Sequence, residues 1–263
     1  SVQDPECCAQ VYVRTGLTQR ALARQYAALT AAQSYAVPST NPFDRITDVD
    51  ADLNAGNKIG GASLRIKADL GGGTLTAATA WRFWDWKPSN DRDFIGLPIT
   101  TKSQNPSQQD QYTQELRFNH SSDSLDYVVG LFGFKQKVRT QGTQQQGAAA
   151  SKFLLSGALA NDPSVLNGLT AANDIRLDNT SAAFYGQLSW KPVPGLSLQP
   201  GVRVNYDKKT GLYDSVVTNG AGQLVTFAST DPRIVAQRGV LAPQHFEPRF
   251  SAWNFSWDFT ASY

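Results

Sequence analysis

NTSAAFYGQLSWKPVPGLSLQPGVRVNY, residues 179–206, is the stretch on which the fold turns. Its first arm sets Ala182, Phe184, Gly186, Leu188 and Trp190 on one face against Ser181, Tyr185, Gln187 and Ser189 on the other. Its second arm alternates Leu196, Leu198, Pro200, Val202, Val204 and Tyr206 with Ser197, Gln199, Gly201, Arg203 and Asn205. A period of two means β-strand, because successive side chains leave a strand on opposite faces. Each arm is as long as the roughly 9–11 residues that a tilted strand needs to cross a bilayer. The face carrying Arg203, Asn205 and Asp207 is too charged for a packed core and requires water or polar partners. An apolar outer face over a wet inner one is the pattern of an outer-membrane barrel.

The same alternation recurs outward from this hairpin. Ala62, Leu64, Ile66, Ala68 and Leu70 alternate with Ser63, Arg65, Lys67 and Asp69, and three glycines, Gly71, Gly72 and Gly73, then reverse the chain. On the return, Leu75, Ala77, Thr79, Trp81 and Phe83 oppose Thr74, Thr76, Ala78, Ala80 and Arg82. The strand ends in WRFWDW, whose Trp81, Phe83, Trp84 and Trp86 are expected in an interfacial aromatic girdle. Further on, Tyr112, Leu116 and Phe118 alternate with Thr113, Glu115, Arg117 and Asn119, before the turn SSDS at 121–124. The strand at 125–138 is apolar on both faces, which leaves its inward side open. A final strand sets Trp253, Phe255, Trp257, Phe259, Ala261 and Tyr263 against Asn254, Ser256, Asp258, Thr260 and Ser262. Pro200 removes a ladder hydrogen bond and is expected to mark a bulge.

Seven spans follow, at 58–70, 74–86, 110–121, 125–138, 179–191, 196–208 and 249–263. Their connections alternate short and long, as in barrels with short periplasmic turns and long extracellular loops. The long loops are 87–110, 139–178 and 208–248, on the side of Trp84, Trp86 and Tyr206. The second has a Gln-rich start at 143–146 and helix-like patches at 153–160 and 165–170. Seven strands do not close, and an open sheet in lipid leaves two unpaired edges. The remaining strands are expected from a longer chain or from other chains.

Residues 1–57 read as an extracellular loop region with a short helix, and 58–263 as a partial barrel of about seven strands. An extended piece falls at 11–14. At 17–33, Leu22, Tyr26, Leu29 and Ala32 fall at helical spacing, with Thr15 or Thr18 as cap and Pro38 past the end. Adjacent Cys7 and Cys8 read as a loop pair without a catalytic role.

Composition sets the outer bounds. The 263 residues are 41% hydrophobic and 17% charged, with a net charge of +2, so nothing suggests nucleic acid as a partner. Mean hydropathy is −0.35, and no run approaches the roughly 18 apolar residues of a transmembrane helix. That excludes a helical membrane protein and leaves a barrel possible. The chain contains no Met and opens SVQDPE, which reads as a processed form or, by preference, as a piece of something longer.

Four segments carry a resemblance: GGGTLTAATAWRFWDW at 71–86, DQYTQELRF at 110–118, YVVGLFGF at 127–134 and AAFYGQLSWKPVPGLSLQPGVRVNYDKK at 182–209. In order and spacing they resemble the barrel of TonB-dependent outer-membrane receptors, the active importers of siderophores, cobalamin and some sugars. The resemblance covers most of 58–209 and amounts to about a third of a barrel of roughly 22 strands. It implies an all-β fold, an antiparallel up-and-down transmembrane wall whose long extracellular loops carry short helices. It also implies the outer membrane of a Gram-negative bacterium, a small-molecule or glycan ligand, and energy from the TonB complex. The family's N-terminal plug, TonB-contact segment and closing C-terminal strand find no counterpart in these residues.

Two groups of residues are candidates for function. Arg65, Lys67, Arg82, Glu115, Arg117, Arg203 and Asp207 point to the lumen, where they contact the plug or an anionic substrate; the plainer reading is a charge ladder that solvates the lumen. Trp84, Trp86, Asp91, Arg92, Asp93, Phe94, Gln144, Gln145, Gln146, Tyr213 and His245 fall in or beside the loops and suit a bulky, partly aromatic ligand, or are solvated tips and girdle anchors. His120 and His245, the only histidines, lack metal-ligand spacing. No nucleophile elbow, zinc motif or phosphate loop is present, so neither catalysis nor a cofactor is implied. The competing readings are a passive porin-like barrel and a soluble β-sandwich binding module.

Overall fold

The computed structural model describes residues 26–39 and 41–263. The expectations at 11–14, for Cys7 and Cys8, for the caps Thr15 and Thr18, and for the first part of the helix lie outside the described residues. Within them the helix is a short one, α1 (Tyr26–Ala31).

Nine strands form one antiparallel sheet: β1 (Asn54–Asp69), β2 (Thr74–Ser89), β3 (Thr100–Gln104), β4 (Ser107–Ser121), β5 (Leu125–Gln146), β6 (Thr170–Val193), β7 (Leu196–Thr218), β8 (Gln244–Phe246) and β9 (Arg249–Ser262). The seven long ones pair in chain order, β1–β2–β4–β5–β6–β7–β9, as an up-and-down wall. The two short ones prolong their neighbours: β3 pairs with β2 and β5 as β4 does, and β8 pairs with β7 as β9 does. Pro106 and Pro248 fall at these two breaks, where a missing N–H interrupts the ladder. Their carbonyls still accept, from the N–H of Gln141 and of Gly211, at 2.9 Å each.

Register shows what alternation along a single strand only implies. One row crosses all seven long strands as Lys67, Thr76, Arg117, Gly130, Tyr185, Arg203 and Ser256. The adjacent row, on the opposite face, reads Ile66, Ala77, Leu116, Leu131, Phe184, Val204 and Phe255. Every residue of the second row is apolar, and Ile66, Leu116, Leu131, Phe184 and Phe255 stay exposed. So broad an apolar band has no counterpart on a soluble surface and matches the lipid-facing belt of a barrel. The sandwich alternative fails, because all strands belong to one sheet and, among the described residues, no second sheet covers this band. The register also gives β5 an inner side: Val128, Gly130, Phe132 and Phe134 share the face of Arg117 and Arg203.

Several boundaries differ from the sequence expectations. β1 starts at Asn54; β2 runs to Ser89, β5 to Gln146 and β7 to Thr218; β6 begins at Thr170. The loops are correspondingly shorter than 87–110, 139–178 and 208–248. Above the belt both faces are polar, as in Lys135, Gln136, Lys137 and Arg139, so alternation disappears while the ladder continues. The patch expected at 153–160 is the helix α2 (Ala150–Leu154) followed by a 3-10 turn, Gly157–Asn161. The patch at 165–170 is not helical, since a 3-10 turn at Pro163–Val165 gives way to β6. A helix α3 (Pro232–Val240) lies in the third loop, with Pro232 at its first position and the Asp231 side chain accepting the Arg233 N–H at 2.8 Å. Pro200 marks no bulge. Pairing to β6 passes from Gln187↔Gly201 to Trp190↔Leu198, the only register shift of that pair lies between Trp190 and Val193, and Pro200 stays opposite Phe259 on β9.

The buried apolar core lies in the loops. Ile95, Leu97 and Ile99 of the first long loop pack with Ala149, Ala150, Val165, Leu166 and Leu169 of the second, and with Val225 and Leu241 of the third. Ala171 and Val217 join them from the tops of β6 and β7, where they pair on the face that carries Arg203. Three loops therefore fold over the inner side of the wall as one lobe. Polar clasps tie it together: Arg233 Nη1 donates to Asp162 Oδ2 at 2.6 Å, and Gln237 Nε2 donates to the Val165 carbonyl at 2.8 Å.

Candidate functional site

On the inner wall, side chains two strands apart meet across glycine. Tyr185 of β6 lies over Gly130 of β5 and donates its hydroxyl to Glu115 Oε1 of β4 at 2.6 Å. Arg203 of β7 leans over the same ground, its guanidinium carbon 5.7 Å from the Tyr185 ring and 6.0 Å from the Phe132 ring. Its Nε donates to Asn205 Oδ1 at 2.7 Å. Arg203 enters none of the ion pairs found among the described residues, so its charge is held by ring faces and an amide. The neighbouring Arg117 keeps a buried Nε without a partner among the described residues. Such a patch offers fixed positive charge and planar donors to an anionic group or to a protein surface filling the lumen.

Register places the other lumen candidates on this face: Arg65 opposite Ala78, Lys67 opposite Thr76, Arg82 opposite Gln111, and Asp207 opposite Ser181. Phe132 and Tyr185 were not among the sequence candidates. Their signal was weak, because Phe132 lies in the strand that is apolar on both sides and Tyr185 reads as one more polar-face residue.

The loop-side candidates do not converge on one site. Trp84 and Trp86 are not girdle residues. They stack at 5.6 Å on the inner face of β2, whereas Trp81 and Phe83, at 5.3 Å, take the outer one. Trp86 lines a cavity of about 680 Å³ with Leu53, Asn54, Asn90, Ser103 and Asn105. Gln144 and Gln145 belong to β5 and not to a loop, and Gln145 Nε2 donates to Thr170 Oγ1 at 3.1 Å. Gln146, the last residue of β5, is buried, and its Oε1 accepts from Thr100 Oγ1 at 3.3 Å. Tyr213 shares the inner face of β7 with Arg203, but His245 pairs opposite Asp214, on the other face, with Nδ1 at 3.1 Å from Asp214 Oδ1. Arg92 and Phe94 are exposed in the first long loop, Phe94 with φ +57°, whereas Asp91 between β2 and Phe94 is fully buried.

Around Asp91 the lobe concentrates acids. Tyr35 donates its hydroxyl to Asp48 at 2.5 Å and accepts the Gly96 N–H at 3.1 Å; a Cβ on Gly96 would strike both partners. Burial, then the carboxylate of Asp48, pushes the Tyr35 phenol up to about 12. Asp93 is pushed up to about 7, chiefly by burial and then by Asp91 and Asp50, against the pull of the Thr100 N–H. Asp48 and Asp50 were also not among the sequence candidates, although the D-x-D pair at 48–50 was there to be read beside the one at 91–93.

No protein-family model matches the chain, and no curated protein does. Among solved structures, the crystal structure of the ferric yersiniabactin uptake receptor FyuA from Yersinia pestis is similar, with a TM-score of 0.52 and 14% identity over 78% of this chain. The chain spans 25% of the length of that receptor. A likeness at this identity concerns the fold, and it agrees with the rows above: an antiparallel β-barrel wall of the outer-membrane kind.

Proposed function

We propose that this chain is part of the barrel of an outer-membrane active transport receptor, energised through TonB, for a bulky ligand such as a ferric siderophore, cobalamin or a glycan. In this reading 58–263 belong to the barrel and 1–57 to the extracellular side, and further strands complete the wall, since unpaired edges are not tolerated in lipid. The observation that carries the reading is the lobe. Three loops share one core and fold over a wall face bearing Arg117 and Arg203, which suits a gated path more than an open pore. The likeness to a ferric siderophore uptake receptor supports the same assignment. Trp84, Trp86 and Tyr213, on the inner face beneath the lobe, are the proposed ligand contacts, and Arg203 is the proposed anion contact of the lumen.

The test is uptake of a panel of labelled ferric siderophores, cobalamin and oligosaccharides by cells producing the full-length protein, with and without a functional TonB complex. Saturable uptake of one ligand class that disappears without TonB is expected. Diffusive entry that survives the loss of TonB would identify a passive barrel and overturn the proposal.

A further inference from the structure

The loop after β2 and the segment before β1 meet at three carboxylates. One oxygen from each of Asp50, Asp91 and Asp93 lies within 4.8 Å of the other two. Asp91 is fully buried, and its Oδ1 accepts two backbone N–H groups, from Asp93 at 3.2 Å and from Phe94 at 3.1 Å. Its Oδ2 is buried with no hydrogen-bond donor among the described residues. Asp93 repeats the arrangement: Oδ2 accepts the Thr100 N–H at 2.6 Å, and Oδ1 is buried against the Asp91 carboxylate with no donor among the described residues. Backbone donors therefore orient both carboxylates and leave one oxygen of each unused.

A buried acceptor without a donor is costly, and a charged one more so. Among the described residues no Lys or Arg relieves it, since none of their ion pairs includes these acids, and Arg92, between them in sequence, is exposed. Asp50 is exposed and leaves the third side open to solvent. The donor set is all oxygen, without His or Cys, and it is carried by loops. That combination suits a hard cation tolerant of irregular geometry, which is calcium before magnesium or a transition metal.

We infer that Asp50, Asp91 and Asp93 form a calcium site that fastens the segment before β1 to the loop after β2. The same two segments already touch at Tyr35, Asp48 and Gly96. The ion is a second rivet on that seam, and the inference does not depend on what the barrel carries.

The experiment uses the full-length protein in detergent, stripped with a chelator and titrated calorimetrically with CaCl2 and separately with MgCl2. One calcium is expected to bind with a Kd of about 10⁻⁴–10⁻³ M, the range of extracellular modules, and more tightly than magnesium. Asp91→Asn and Asp93→Asn should each weaken it by at least about the tenfold that loss of a mere supporting residue costs at a metal site. Asp50→Asn, at the exposed ligand, gives the same reading if the buried variants do not fold. Calcium should also slow proteolytic cutting within residues 90–99, and the chelator should restore it. Absence of calcium heat well beyond the millimolar range, or unchanged affinity in Asp50→Asn, would overturn the site. A gain in protease resistance in Asp93→Asn without any response to calcium would overturn it too, by showing that a proton is what the two buried oxygens share.

Discussion

Replacing Gly130 by alanine is the smallest change that should disturb the wall. A Cβ at this position would fall on the ring and hydroxyl of Tyr185, with Cε1 at 2.7 Å. Holding both in place is overpacking, which costs about 1–3 kcal/mol. Swinging the ring away instead forfeits its 2.6 Å hydrogen bond to Glu115, and a bond to a charged group contributes about 1.5–3 kcal/mol. It also removes one of the two rings under Arg203, about 0.5–1 kcal/mol where water is near. The side chain takes the cheaper route, so the expected penalty is about 2–3 kcal/mol and not the sum of these terms. The assay is reversible folding of the full-length protein into lipid vesicles, run as a double-mutant cycle with Tyr185→Ala. In that background Gly130→Ala should cost no more than about 0.5 kcal/mol, as for independent sites. An equal penalty in both backgrounds would refute the idea that glycine is there to let Tyr185 reach Glu115.

Other perturbations probe other parts of the molecule. Val202→Arg and Leu188→Arg, on the outer face, should cost about 2–4 kcal/mol in the same vesicle titration if near the bilayer midplane, while Gln187→Arg on the inner face should be nearly neutral. Tyr35, whose phenol rises from 10.0 in the unfolded chain to about 12 when folded, contributes stability that is complete below pH 10 and lost as pH climbs from 10 to 12. Alkaline unfolding of the lobe, followed by protease accessibility, should show that slope, and Tyr35→Phe should flatten it. Asp162, held below the usual carboxylate range by Ser164 and then Arg233, makes Arg233→Ala a test of the clasp: α3 should exchange its amide hydrogens faster while the strands do not change.

How far the sequence could be read depended on whether a residue answers to its neighbours in the chain or to distant ones. The hairpin at 179–206 was legible because lipid on one side and water on the other impose a period of two. Above the belt that contrast ends, and Lys135, Lys137 and Arg139 give no sign that β5 continues to Gln146. Trp84 and Trp86 were drawn toward the girdle by their aromatic character, although parity with Trp81 already put them on the inner side. The lobe core was hidden in plain composition: Ile95, Leu97 and Ile99 occupy a long loop, and their partners lie 50 residues and more away in sequence. The acid cluster is the extreme case, since nothing in either D-x-D pair announces that the other will face it.

The common core under the three loops bears on how the loops of this wall can change. Where loops stand apart, each can be lengthened or rewritten alone, and new specificities arise one insertion at a time. Here Leu166 and Leu169 from one loop share a buried core with Ile99 from another and Val225 from a third. A variant in any one of them reshapes the seat of the others, so the three must drift together. Grafting a single loop from another barrel onto this one should yield a misfolded lobe far more often than a folded one, whereas transplanting the lobe entire should succeed.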